Sequence, residues 1–387
     1  MKIFLSIFMA FLFCLILLIS PHKTQAIVDP LSSDNNKFGV HILFTSELED
    51  AAKLINSSGG DWGYVTIPIQ AGDKDLVKWQ EFMDSAKRLH VIPIVRLATE
   101  GDYFKSNVWI KPSIADVLDF ANFFNSLDWP TLNRYIVAFN EPNRADEWGG
   151  EANASEYAHI LSYAVETFKS KNSDFFIISA GLDNASENIE GISKNEYTFM
   201  QEMANAAPEI FNKIDAIASH SYPNPGFKQP PWVLTRKSIS SFVYEKRLAD
   251  FLGNKNLPVF ITETGWSNDS VSQDQIASYF EEAFEKVWSA DNIVAVTPFL
   301  LNAGTIPFAQ FSLIKENGAQ NEGYKAIEEI SKIKGNPNVG FKVENFTSKN
   351  AVLPIIDFSD FYHFYNESTA KDRADTAAEF VKWILRI

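Results

Sequence analysis

Eight short apolar runs, each followed by a longer stretch of mostly helical period, set the architecture open to this chain. The runs are Phe38–Phe44, Tyr64–Ile69, Val91–Leu97, Tyr135–Phe139, Phe175–Ala180, Ala216–His220, Pro258–Thr262 and Ile293–Leu300. Each is near-continuously apolar, as a parallel strand buried on both faces must be. Between them, Asp75–His90 carries Leu76, Trp79, Phe82, Met83 and Ala86 at spacings of three and four, and Ser113–Leu127 and Glu156–Lys169 behave alike. Gln273–Ala290 places Ile276, Phe280, Ala283, Phe284 and Val287 on one stripe. Ser113 and Ser272 stand where a helix takes a side-chain cap. The alternation predicts an α/β fold, a (β/α)8 TIM barrel. An open doubly wound sheet would need a Gly-rich loop after the first strand, and the chain there reads Leu43-Phe44-Thr45-Ser46-Glu47.

The ends stand apart from this core. Lys2, the apolar run Ile3–Ser20 and the small residue Ala26 read as an export signal over 1–26. The run is long for a cleaved signal and short for a membrane span, so a retained anchor through residues 3–20 is the alternative to a secreted protein. The catalytic barrel is expected over 27–333. A C-terminal extension packed on the barrel is expected over 334–387, with an apolar stretch Ala351–Phe358 and a last helix Thr376–Ile387.

The single cysteine, Cys14, lies inside the apolar run, which excludes a disulfide scaffold and thiolate metal sites. The formal charge of −15 argues against a nucleic-acid partner. Asn-x-Ser/Thr triplets start at Asn56, Asn153, Asn184, Asn268, Asn345 and Asn366, as chance allows in an Asn- and Ser-rich chain. A monomer is expected.

In a barrel the chemistry sits where strands end at the C-terminal face. Two windows stand out: Phe139-Asn140-Glu141-Pro142-Asn143 after the fourth strand and Thr262-Glu263-Thr264-Gly265-Trp266 after the seventh. These strands lie across the barrel from each other, so both carboxylates can face one cleft. Two opposed carboxylates suit retaining glycoside hydrolysis, in which one attacks the anomeric carbon and the other protonates the leaving oxygen.

Asn-Glu-Pro ending strand four, with Glu ending strand seven, resembles clan A of the (β/α)8 retaining glycosidases, which includes β-glucanases, β-mannanases, xylanases and β-glucosidases. The resemblance covers about residues 38–333. It implies that Glu141 is the acid/base, Glu263 the nucleophile, and Asn140 a partner of the sugar 2-hydroxyl. His220-Ser221-Tyr222-Pro223 follows strand six. By the resemblance Tyr222 donates to Glu263, and His220 sits near Glu141 or is simply bonded to backbone. Arg96, ending strand three, either keeps Glu263 charged or is a structural ion-pair partner. His41 ends strand one in a clan-like position without an assigned role.

Clan members commonly floor the reacting sugar with a Trp after strand eight. Here the window is Thr297-Pro298-Phe299-Leu300-Leu301-Asn302, so Phe299 or Trp266 takes that place. Trp148 and Trp232 are candidates for outer sugar subsites or for loop anchors. No metal or phosphate-binding pattern appears, and the implied mechanism needs no cofactor. The expected partner is a polysaccharide or oligosaccharide. A non-catalytic carbohydrate-binding barrel and a transglycosylase with the same residues are the rival readings.

Overall fold

The computed structural model of the chain describes residues 27–101, 107–303 and 308–339. The signal or anchor expected over 1–26 lies outside these residues, as does the extension beyond 339, with Ala351–Phe358 and Thr376–Ile387. No helix among the described residues is long and apolar enough to cross a membrane.

In chain order the elements are β1 (Gly39–His41), α1 (Leu48–Ile55), β2 (Gly63–Gln70), α2 (Leu76–Arg88), β3 (Val91–Ala98), α3 (Ile114–Asn125), β4 (Arg134–Val137) and α4 (Ala154–Lys171). There follow β5 (Phe175–Ile178), α5 (Glu196–Ala206), α6 (Ile210–Lys213), β6 (Ile217–His220), α7 (Ser241–Gly253), β7 (Val259–Glu263), α8 (Gln273–Glu282), β8 (Ile293–Val296) and α9 (Glu322–Glu329).

Strands β1 to β5 pair in parallel in sequence order, and so do β6 to β8. Parallel bridges Ile178–Ala216 and Phe38–Val296 join the two sheets at both seams. At one seam the Val296 N–H donates to Lys37 O at 2.9 Å, and at the other the Ser179 N–H donates to Ala216 O at 3.2 Å. The eight strands therefore close into a (β/α)8 barrel. Closure leaves no strand edge, and each strand has a core on both sides.

Inside, Tyr64, Tyr135, Phe176 and Phe260 fill the barrel: Tyr135 and Phe260 pack at a tilt, 5.3 Å between ring centroids, and Phe176 and Phe260 likewise at 5.9 Å. The outer core lies between strands and helices, where Trp79, Phe120, Phe124, Phe168 and Trp288 are buried. This double burial is why the strand runs read as continuously apolar.

Both expected helix caps form. The Ser113 hydroxyl accepts from the Asp116 N–H while Asp116 returns a bond to the Ser113 N–H at 2.7 Å, and Ser272 and Gln275 make the same reciprocal pair. Each such cap contributes about 1 kcal/mol. The single helix expected over Gln273–Ala290 instead ends as α8 and continues in a wider π turn, Ala283–Val287. The wider turn keeps Phe284 and Trp288 both in the core, 4.9 Å apart.

Several apolar runs outlast their strands. The eighth run extends to Leu300, yet β8 ends at Val296, and the remainder turns over the barrel mouth. Residues 334–338 run along the opposite end, where Gly335 N–H donates to Asp61 O at 2.9 Å and Leu132 N–H to Asn338 O at 2.7 Å.

Candidate active site

Side-chain alternation places the first functional group. On β3, Ile92 and Ile94 point into the barrel interior, so Arg96, two residues on, rises into its mouth. Strand β7 does not follow simple alternation. Its register with β6 slips between Ser219 and His220, so that His220 pairs with Glu263. Such a bulge re-aims side chains. After β4 the backbone takes positive φ at Phe139 (73°) and Glu141 (34°). These conformations cost roughly 1–3 kcal/mol each and are typical of functional sites.

The side chains so placed converge. One oxygen of Glu141, one oxygen of Glu263 and a ring nitrogen of His220 lie within 4.8 Å of one another. Arg96 Nη1 donates to Glu263 Oε1 and, at 2.7 Å, to Asn140 Oδ1. The Tyr222 hydroxyl donates to Glu263 Oε2 at 3.0 Å. His220 Nδ1 meets Glu141 Oε1 at 2.8 Å, and Arg144 Nη1 donates to Glu141 Oε2 at 2.9 Å. All four oxygens of the two carboxyls thus have partners.

These contacts set the charges. Burial alone would push the Glu263 carboxyl up, but His220 and Arg96 outweigh it and hold Glu263 at about 2. Burial would lower His220, yet the neighbouring Glu263 and Glu141 carboxylates raise it above its ordinary value. His41 is lowered to about 3 by burial and then by Arg96, so it is neutral near pH 7. Its Nε2, 3.7 Å from Glu263 Oε1, is therefore not in an ion pair there.

The cleft over this group has a volume of about 1130 Å³. That exceeds the roughly 300–1,000 Å³ of a site for one small ligand. Arg96, Asn140, Glu141, Tyr222, Glu263 and Phe299 line it. His220 and His41 lie buried beneath, with the His41 ring against Phe299 at 5.0 Å.

The tryptophans fall elsewhere. Trp266 does not floor the cleft: it is 2% exposed, donates its indole N–H to Gln229 O at 2.8 Å, and packs on Tyr279, Phe280 and Trp288. Trp148 borders the cleft but is only 1% exposed, wedged between Phe139 and Tyr157, so it anchors its loop and offers no open ring face. Trp232 is 61% exposed, but it stands against Tyr279 and away from the residues lining the cleft. Trp109, Phe44 and Phe308 supply the more open aromatic surface of the cleft.

Sequence reasoning missed Glu147, which lies in the loop after β4, just beyond the window read there, and lines the cleft. It also assigned no site role to Arg144. Asn184, a sequon asparagine, is buried and holds Tyr222 O at 2.9 Å, so it carries no glycan in the folded chain.

Glu141, His220 and Glu263 are near enough to hold a metal ion. A cation there would have to displace the guanidinium from Glu263 and break the Glu141 contacts to His220 and Arg144. The donor set therefore fits a hydrogen-bonded carboxyl pair better than a metal centre.

The model of one protein family, the glycosyl hydrolase catalytic core, matches residues 107–325. No curated protein sequence matches the chain. Among solved structures, the chain is similar to a family 39 glycoside hydrolase from Bacteroides cellulosilyticus WH2, with a TM-score of 0.53 and 15% identity over 79% of this chain. This chain spans 65% of the length of that one. A GH39 β-xylosidase from Caulobacter crescentus is similar at a TM-score of 0.52 and 13% identity, over 79% of this chain and 72% of the other. XacCel5A in complex with cellopentaose is similar at a TM-score of 0.50 and 13% identity, over 76% and 99%. Identities this low carry the fold.

Proposed function

Because this chain belongs to the glycosyl hydrolase catalytic core family, we propose that it is a retaining glycoside hydrolase acting on a β-linked glycan, with Glu263 as nucleophile and Glu141 as acid/base. One observation carries the retaining assignment: the approach of a Glu141 oxygen to a Glu263 oxygen within 4.8 Å. Retaining pairs stand roughly 5–5.5 Å apart, whereas inverting pairs leave roughly 6.5–9.5 Å for a water.

In the first step Glu263 attacks the anomeric carbon while the glycosidic oxygen leaves with the proton from Glu141. In the second, Glu141 takes a proton from water, whose oxygen displaces Glu263 and restores the free carboxylate. Arg96 and Tyr222 hold Glu263 ionised and aimed. Asn140, fixed by Arg96, meets the sugar beside the reacting carbon. The segment 1–26 supports export, either as a secreted protein or tethered outside a membrane through residues 3–20.

The test is hydrolysis of β-glucans, mannans, xylans and aryl β-glycosides, with the first-formed anomer followed by NMR. Glu263→Ala should abolish turnover, and Glu141→Ala should spare aryl glycosides with good leaving groups. Inverted product, or full activity in Glu263→Ala, would overturn the proposal.

A further inference from the structure

We propose that Glu147 selects the substrate by charge, so that the cleft accepts neutral and amine-bearing glycans and refuses uronate-bearing ones. The inference rests on the hydrolase reading and names its substrate class.

The cleft leaves no free cation for an acidic sugar among the described residues. Three basic side chains line it, and each is already spent on a carboxylate. Lys78 donates to Asp73 at 2.6 Å, Arg96 is bound to Glu263, and Arg144 grips Glu141 at 2.9 Å and Asp146 at 2.5 Å. Two lining acids remain without a lysine or arginine partner among these residues. One, Asp183, turns both oxygens to its own loop, accepting from the Ala185 N–H at 2.8 Å and the Ser186 hydroxyl at 2.7 Å. The other is Glu147.

Its place beside the reacting sugar follows from Asn140. The oxygen of that amide is taken by Arg96 at 2.7 Å, so its NH2 is the group that bonds Glu147. Glu147 therefore flanks the side chain assigned to the sugar. Its surroundings set its charge. Burial and then the Glu141 carboxylate push Glu147 up to about 7, while the Asn140 bond, Arg96 and Arg144 oppose them. Above neutrality it presents a negative charge that repels an anionic substituent and attracts an ammonium.

The experiment compares wild type with Glu147→Gln on matched neutral, amine-bearing and uronate-bearing oligosaccharides of β-1,3 and β-1,4 linkage at pH 8. Hydrolysis and calorimetric binding are both read. The variant should raise the uronate-to-neutral ratio of kcat/KM roughly tenfold and, in a repeat at pH 7 where the amine is still largely ammonium, lower the amine-to-neutral ratio. At pH 5 the wild type should approach the variant, because Glu147 is then protonated. Equal ratios in the two proteins would overturn this inference and leave the hydrolase reading intact. The expected order in binding without any hydrolysis would do the reverse. Binding of none of the sugars by wild type would overturn the inference.

Discussion

The buried imidazole of His220 meets the Glu141 carboxyl through Nδ1 at 2.8 Å, and its Cδ2–Nε2 edge rests in a space that only a glycine leaves open. A Cβ on Gly181 would lie 2.2 Å from His220 Cδ2 and 2.5 Å from Nε2. The Gly181 carbonyl also accepts the Glu141 N–H at 3.1 Å, so one residue positions both partners. Gly181→Ala should therefore shift His220 off Glu141, at a cost of about 1–3 kcal/mol in stability. Turnover on unactivated glycans should fall more than turnover on aryl glycosides with good leaving groups. Wild-type kinetics on both substrates would refute this.

His220 and Arg96 together set the ionisation of Glu263. With His220 and the Arg96 guanidinium both present, Glu263 is held at about 2 against the push of burial, below an ordinary value of 4.5. The lowered value contributes stability that is present above about 4.5 and lost as the pH falls toward about 2. In Arg96→Met the acid limb of kcat/KM that reports Glu263 should climb by about one pH unit or more. A pH–rate profile measures it directly, and an unmoved acid limb would assign the control of Glu263 elsewhere.

Tyr222 gives a cleaner probe of orientation, because only its hydroxyl is removed in Tyr222→Phe. The lost bond is the one to Glu263 Oε2 at 3.0 Å. A hydrogen bond to a charged group is worth about 1.5–3 kcal/mol, so kcat should drop by roughly 10- to 100-fold. The ring still packs on Phe227 and Phe311, at 5.1 and 5.9 Å, so the melting temperature should stay close to wild type. Loss of the fold together with activity would count against an orienting role.

Behind β6, Glu245 and Glu196 are both buried. Burial raises Glu245 to about 7, and burial with the neighbouring Glu245 raises Glu196 well above its usual range. The folded chain thus keeps protons that the unfolded chain releases, so stability should fall as the pH rises from about 4.5 to about 7. Glu245→Gln keeps an acceptor for the Ser219 hydroxyl, now at 2.9 Å, and removes the charge. Denaturant midpoints at pH 5 and pH 8 should differ less in the variant, which should be the more stable protein at pH 8. The same pH dependence in both proteins would contradict this.

Much of the site was readable before the fold was known. Arg96 could be placed in the mouth because β3 alternates without interruption, and Asn140 and Glu141 because they follow an apolar run that had to be a strand. Glu147 lies four residues beyond that window in the same loop, yet nothing local separates it from Asp146, which turns to Arg144. The signal available was its distance of only a few residues from Glu141 in a loop on the active face. Trp266 misled for a related reason. It follows Glu263 closely, but the chain turns at Gly265 (φ 143°) and sends the indole outward, where it packs with α8.

The sequence by itself determined the barrel, because alternation of apolar runs and helical stripes is a property of near neighbours and needs no knowledge of distant contacts. It also determined which strand ends carry the two glutamates. Only the tertiary structure decided which side chains look into the cleft. The slip between β6 and β7 that aims Glu263, the space at Gly181 for His220, and the burial of Trp148 and Trp266 come from packing between elements far apart in the chain. That packing leaves no mark in the local pattern of residues.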